Sequence, residues 1–562
     1  LYFQKYPSRV GLVFSAIFFC IIISVVKLGI LQIFHASMLS EKADKQHNHV
    51  VEIEPRRGTI YDRNMHALAL NVSVYSLFAN PMSMTPAEKE EASKNIASIL
   101  GCGAEPIRKR MDREKGFVWI SRKLPQEAYE KLRVLKMPGL GFIRESRRFY
   151  PNGALAAHVI GFANIDNVGL QGVEYEYDKY LQGTKGKAQF LRDARQRDLL
   201  IEKDFLKPKD GHDVVLTIDE TIQFITENAL ERAFIKHNAS AASAIVMDPR
   251  TGEILAFANR PSFRPDAPEK SSPGNRTNRA VAFVYEPGSV FKIVTAAAAL
   301  EEGAFKEDDD IFCENGKYLV GNHILKDVHP KGHLTFREVV EQSSNIGTTK
   351  VAQRLGADKV YEYARRFRFG MKTDIGMIGE VNGLLKHPST WSKTSIGAIP
   401  IGQEVTVTSV QLLGLIGTVA NDGEYMKPYF VKHIKDPGGR VVASFRPEPL
   451  ARVIRKDIAL RLKDILKGVV EEGTGALVKM KDITAAGKTG TAQKVVNGTY
   501  SHSSFVASFI GFAPVEDPRL AVVVTIDDPH PVYYGGVVCG PVFKQIIEDS
   551  LKYMAAKERG ET

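Results

Sequence analysis

The chain has 562 residues, 44% hydrophobic and 25% charged, which excludes wholesale disorder, collagen-like repeats and a bundle of many membrane spans and implies two or three folded units. Its 75 basic and 65 acidic residues leave a net charge of +10, an excess that suits acidic polymers, anionic headgroups or carboxylate substrates without choosing among them. The cysteines, Cys20, Cys102, Cys313 and Cys539, lie too far apart to specify a disulfide framework; Cys313 and Cys539 are read as separate buried thiols, with pairing as the alternative.

In chain order, residues 1–4 read as the remnant of a cleaved expression tag, and residues 5–34 as a short stub with a membrane anchor. Val10 to Val26 carry no charge, and with Lys27 snorkelling the apolar run continues through Leu28, Ile30, Leu31 and Ile33, long enough to cross a bilayer. A cleaved signal peptide is the competing reading; the run exceeds a typical signal core and no small-x-small site follows it. Lys5 and Arg9 flank the start, which places the N-terminus in the cytoplasm and the rest outside the membrane. Residues 35–211 read as an irregular α+β region, with β-like runs at Val50 to Ile53 and Val74 to Phe78 and a helix starting near Pro86. Residues 212–557 read as one α/β domain: a strand at Val214 to Ile218, a helix from Thr221 to His237, strands Ser243 to Met247 and Ile254 to Ala258, then far downstream strands Ala485 to Lys494, Ser504 to Ala513 and Leu520 to Ile526, a helix from Val542 to Lys557, and a tail over 558–562. Its sheet is expected to be completed by distant sequence.

The chemistry begins at Tyr285-Glu-Pro-Gly-Ser-Val-Phe-Lys292. Pro-Gly punctuation before an alanine-rich apolar run places Ser289 at the start of a buried helix with Lys292 one turn on, on the same face. A serine becomes a nucleophile only when a base takes its proton, and a lysine can serve if burial or a nearby cation keeps it neutral. S-x-x-K alone is weak: Ser24 to Lys27 also matches, inside the apolar span, and the plain alternative is a capping serine with a surface lysine. Gln342-Ser-Ser-Asn-Ile-Gly347 offers a hydroxyl, Ser343, and an amide, Asn345, that a loop or helix end can aim into one cleft; Ser93-Lys94-Asn95 also matches and reads as a helix cap. Ala486-Gly-Lys-Thr-Gly-Thr491 combines a cation, two hydroxyls and a glycine in a strand. Gly490 would let substrate approach the backbone, and Lys488, Thr489 and Thr491 can bind a carboxylate; the plain alternative is an edge strand with a solvated lysine.

With the three elements in this order, the sequence resembles the penicillin-recognising serine acyltransferases. Arg57-Gly-Thr-Ile-Tyr-Asp-Arg-Asn64, Gly169-Leu-Gln-Gly-Val-Glu174 and Asp248-Pro-Arg-Thr-Gly-Glu253 look like further landmarks of class B penicillin-binding proteins, the monofunctional peptidoglycan D,D-transpeptidases, and the likeness covers nearly everything after the anchor. The Glu286-Pro-Gly-Ser289 and Ser343-Ser-Asn-Ile-Gly runs look more like the division and sporulation branch than the elongation branch. One departure is Met65, where the family commonly has glycine. The resemblance implies an α/β transpeptidase fold, a sheet flanked by helices, on a non-catalytic pedestal over 35–211, and cell-wall stem-peptide crosslinking through an acyl-enzyme that β-lactams intercept. It implies Ser289 as nucleophile, Lys292 as base, Ser343 as proton relay with Asn345 and Lys488 orienting it, Thr489 and Thr491 holding the terminal carboxylate beside Gly490, and the backbone N–H groups of Ser289 and Thr491 as oxyanion hole. Implied partners are peptidoglycan stem peptides, β-lactams, a SEDS-type glycosyltransferase, divisome proteins and the lipid bilayer; no nucleic acid and no cofactor are expected. Cys313, His323, His329 and His333 share a window, and His47 and His49 sit close together, but their spacings match no compact zinc pattern and the turns between them suggest a surface hairpin. His502 reads as a solvated loop histidine. A D,D-carboxypeptidase or β-lactamase, and a non-catalytic sensor or scaffold, are the competing functions.

Overall fold

The apolar run with Pro7 at its first turn forms helix α1, Pro7–Gly29, followed by one wider turn, Ile30–Phe34. Gly11–Ile33 is long and apolar enough to cross a membrane, and its side chains, Leu12, Phe14 and Phe18 among them, point outward, where only a non-aqueous neighbour would satisfy them. The computed structural model describes residues 7–34, 48–113, 115–192 and 198–561. It divides into two units, Leu1–Arg56 with Gly183–Asp210, and Arg57–Gln182 with Gly211–Thr562. Besides α1, the first unit holds an antiparallel three-stranded sheet of Asn48–Ile53, Gly186–Arg192 and Asp198–Leu206, with Gly186–Arg192 in the middle.

In the second unit, the long strand Ala67–Ala79 pairs along ten residues with Leu140–Phe149 and at its end with Val118–Ser121. Three helices, Pro86–Leu100, Ala104–Met111 and Gln126–Val134, close a core of Leu77, Ile96, Met111 and Leu132 over it. The first helix is fixed by a Thr85/Glu88 capping box and stopped by Gly101 in the left-handed region. Ser93, expected as a cap, instead sits inside this helix and donates to the Glu90 carbonyl.

The Arg57 and Glu174 landmarks meet. Glu174, fully buried, accepts from Arg57 at 2.6 Å and Arg148 at 2.5 Å, and Arg57 also reaches Asp178 and the Asn167 carbonyl. Burial pushes the Glu174 carboxyl up, but the Arg148 and Arg57 guanidiniums outweigh it and hold it below the usual carboxylate range. Asp62 folds the next turn by accepting the N–H groups of Asn64 and His66. Met65 lies there at φ 69°, so the turn keeps a left-handed conformation at a non-glycine residue.

The C-terminal part of this unit is built on a five-stranded antiparallel sheet: β1 Ala241–Met247, β2 Ile254–Arg260, β3 Ala486–Val496, β4 Thr499–Ala513 and β5 Leu520–Asp527, in the order β2-β1-β5-β4-β3. Strands β1 and β5 are buried along their whole length, which is why they read as unbroken apolar runs rather than alternating ones. On one face lie α2, Glu220–Lys236, capped by Asp219, and the C-terminal helix Gly540–Glu558, joined through Leu230, Val522 and Ile546. On the other lies the core that contains Val294, Leu413, Ile416 and Val523. The distant strands complete the sheet as expected; β3 starts one residue later than expected and runs two further, β4 begins five residues earlier and β5 ends one later, and β3 is an edge of the sheet.

Candidate active site

Ser289 stands in a tight 3-10 turn, Gly288–Phe291, that runs straight into helix α3, Lys292–Glu301. The expected helix start is therefore one tighter turn. Gly288, at φ 55°, begins it where a Cβ would come within 3.0 Å of the Thr491 carbonyl, so the Ser289 turn and β3 are in contact through bare backbone.

Lys292 is fully buried, and its Nζ reaches the Ser343 carbonyl at 2.6 Å, Asn345 Oδ1 at 2.8 Å and Ser343 Oγ at 3.1 Å. Ser343 presents both oxygens to the amine from a left-handed conformation, φ 60°, strain of the kind stored at working sites. Ser344 then caps helix α4, Asn345–Leu355, by accepting from Gly347. Asp327 locks this helix start: its carboxylate accepts from Ser344 Oγ at 2.7 Å, the Asn345 N–H at 2.5 Å and the Ile346 N–H at 3.1 Å. Asn345 Nδ2 donates to the Lys326 carbonyl, which turns its Oδ1 toward Lys292.

Burial first and the Lys488 cation second pull the Lys292 amine well below its ordinary value, against Asp327, which raises it. Lys488 is fully enclosed, its Nζ meets no hydrogen-bond partner among the described residues, and burial pushes it down to about 7. A neutral amine has two N–H donors; given to the two shorter contacts of Lys292, they leave its lone pair for a hydroxyl proton.

Strand alternation sends Thr489 and Thr491 to the opposite face of β3 from Lys488 and Gly490. A Cβ at Gly490 would meet Ser508 Oγ at 2.3 Å and the Pro287 carbonyl at 2.9 Å, so the packing of β3 on β4 and on the segment before Ser289 itself requires glycine there. Thr489 Oγ1 bonds Thr474 Oγ1, and Thr491 Oγ1 accepts from the Gly535 N–H. Ser289, Ser343, Asn345, Thr489 and Thr491 all line one cleft of about 830 Å³. Lys292, Lys488 and Gly490 are not on its lining; the two amines lie behind it, fully buried.

Several lining residues were given no role by the sequence: Glu286, although it stands in the Glu286-Pro-Gly-Ser289 run, and Asp327, Thr474 and the aromatic group in which Phe505 stacks on Tyr533, itself against Tyr534. All but Glu286 lie outside the three motifs, and only the fold brings them to the cleft. The Cys/His window does not converge on a metal site: Cys313 is buried beside Ser344, His333 pairs with Asp310, and His323 is exposed. His47 lies outside the described residues. Among the described residues, the ligand atoms that do gather are those of Asp62, His66 and Glu220, where Asp62 is already occupied as an acceptor of backbone N–H groups. Cys313 and Cys539 are both buried free thiols, each raised by burial. His502 sits on strand β4, exposed, rather than in a loop.

Residues 242–548 match the penicillin-binding protein transpeptidase domain and residues 52–216 the penicillin-binding protein dimerisation domain. The chain is 36% identical to stage V sporulation protein D of Bacillus subtilis over 98% of its own length and 86% of that protein's, and 31% identical to the peptidoglycan D,D-transpeptidase FtsI of Escherichia coli over 98% and 93%. Penicillin-binding protein 3 of Mycobacterium tuberculosis, solved in complex with aztreonam, superposes with a TM-score of 0.70 at 27% identity, covering 90% of this chain and 97% of that one.

Proposed function

The chain belongs to the class B penicillin-binding transpeptidases, peptidoglycan D,D-transpeptidases that β-lactams target, and from that premise we propose that Ser289 is its acyl carrier and Lys292 the base that activates it. The observation that carries this reading is the buried Lys292 amine, held by Ser343 and Asn345 of a second motif and depressed by Lys488 of a third. Ser289 Oγ attacks the carbonyl of the penultimate D-alanine, and its proton passes to the Lys292 lone pair. The backbone N–H groups of Ser289 and Thr491 take the oxyanion, with Thr489 and Thr491 on the terminal carboxylate. On collapse the C–N bond breaks, and Ser343, oriented by Asn345 and Lys488, relays the proton to the departing D-alanine amine. An acceptor amine then attacks the ester, gives up a proton by the reverse route and leaves a crosslink, restoring Ser289. A β-lactam follows the first half and stalls as an ester.

Residues 35–211 serve as pedestal and 212–557 as the transpeptidase domain in this reading. The anchor is a single pass with a cytoplasmic N-terminus, so the cleft works on the outer face of the cytoplasmic membrane. The finer role is septal wall synthesis beside a SEDS-type glycosyltransferase and other divisome proteins, supported by the form of the Ser289 and Ser343 motifs and by the likeness to a sporulation protein. Purified protein given a donor thioester and an acceptor amine should release crosslinked product, and Ser289→Ala none. Hydrolysate alone would make it a carboxypeptidase; no Ser289-dependent turnover, with the glycosyltransferase present, would make it a scaffold or sensor.

A further inference from the structure

Glu286 lies three residues before Ser289 and lines the same cleft. Its Oε1 accepts two hydrogen bonds from segments remote in sequence, the Glu404 N–H at 2.9 Å and the Tyr500 O–H at 3.1 Å. Its Oε2 is enclosed and meets no donor among the described residues, an arrangement that costs stability and so asks for a reason. The two donors identify one. Glu404 ends a turn pressed on the nucleophile turn: the Gly288 N–H donates to the Gly402 carbonyl, and a Cβ at Gly402 would collide with the Gly288 carbonyl. Tyr500 sits at the tip of the β3–β4 hairpin, opposite Val495, and β3 is the strand that carries Thr489 and Thr491.

We propose that Glu286 is a positioning residue for acylation, one carboxyl oxygen clamping the hairpin tip and the 402–404 turn onto the turn of Ser289 and so holding Thr489 and Thr491 at their working distance from the nucleophile. This rests on Ser289 being the acyl carrier. The clamp acts on the geometry of the transition state, so its loss slows the chemical step more than it weakens the encounter complex. Hydrogen bonds to a carboxylate are among the stronger ones, and removing one bond should cost about tenfold in acylation rate.

The test is stopped-flow acylation of the full-length protein by a chromogenic cephalosporin, with the acylation rate constant and the saturation constant resolved and the adduct mapped by mass spectrometry. Tyr500→Phe, which deletes one oxygen from a partly exposed side chain, should lower the rate constant about tenfold and move the saturation constant less than about twofold. Glu286→Ala should fall at least as far. Glu286→Gln, whose amide oxygen still accepts both bonds, should stay within about threefold of the parent, and the double variant Glu286→Ala/Tyr500→Phe should be no slower than Glu286→Ala alone. Acylation of Tyr500→Phe at the parental rate, a loss confined to the saturation constant, or a double variant equal to the product of the singles would overturn the clamp while leaving Ser289 as acyl carrier. An adduct at any residue other than Ser289 in the parent would overturn both.

Discussion

Lys488 holds an amine in the interior with no partner among the described residues, a cost set against its use, since its charge helps depress Lys292. Its value of about 7 in the folded chain lies below that of an unfolded lysine, about 10.4. The unfolded chain therefore binds the extra proton between those limits: the penalty is absent above about 10.4, grows as pH falls, and is complete below about 7. Lys488→Met should raise the unfolding free energy by on the order of 3 kcal/mol at pH 6 and by less at pH 9, while removing acylation; denaturant melts at the two pH values check it, and an unchanged or lowered stability at pH 6 contradicts it. Met65 is the second exposed strain. At φ 69° it pays the left-handed penalty that glycine avoids, so Met65→Gly should stabilise by about 0.5–1 kcal/mol in urea titration. The reacting groups were legible because a hydroxyl, amine and amide in short fixed motifs are chemically improbable elsewhere. Asp327 and Glu286 were not, because a single carboxylate in a turn has many structural uses and only the folded chain shows which donors it meets.

At the level of elements, the site depends on how α3, α4 and β3 begin. Helix α4 starts where it does because Asp327 takes the three donors at its first turn, and that start sets where Ser343 and Asn345 meet Lys292. Asp327→Ala should slow β-lactam acylation by about tenfold or more, with Asp327→Asn recovering part of the loss through its remaining acceptor oxygen; equal rates in both variants and the parent would show the lock to be idle. Strands β1, β2 and β5 could be read from their largely apolar runs, since full burial on both faces leaves no alternation. Their partners could not: β1 pairs with β5 across some half of the chain, and nothing local encodes a contact so distant. The tight 3-10 turn at Ser289 was likewise invisible, because it is imposed by Gly288 against the Thr491 carbonyl.

For the molecule as a whole, two features outside the cleft carry predictions. The buried Arg57–Glu174–Arg148 group joins two landmark motifs that the sequence displayed without their contact. Arg57→Met would strand part of a buried carboxylate's compensation and should cost about 3–5 kcal/mol in denaturant unfolding. Helix α1 and the turn after it offer a largely apolar surface over Gly11–Ile33; deleting residues 7–34 should abolish flotation with lipid vesicles and leave the rate of acylation unchanged. What joins these scales is the proposed event, transfer of an acyl group to Ser289 with base, relay and anion-binding strand drawn from three remote stretches. It is tested most directly by incubating the protein with a β-lactam and locating the covalent mass by peptide mapping. The account predicts a single adduct on Ser289, absent from Ser289→Ala and strongly slowed in Lys292→Met; an adduct that persists in Ser289→Ala, or forms at the parental rate without Lys292, would contradict it.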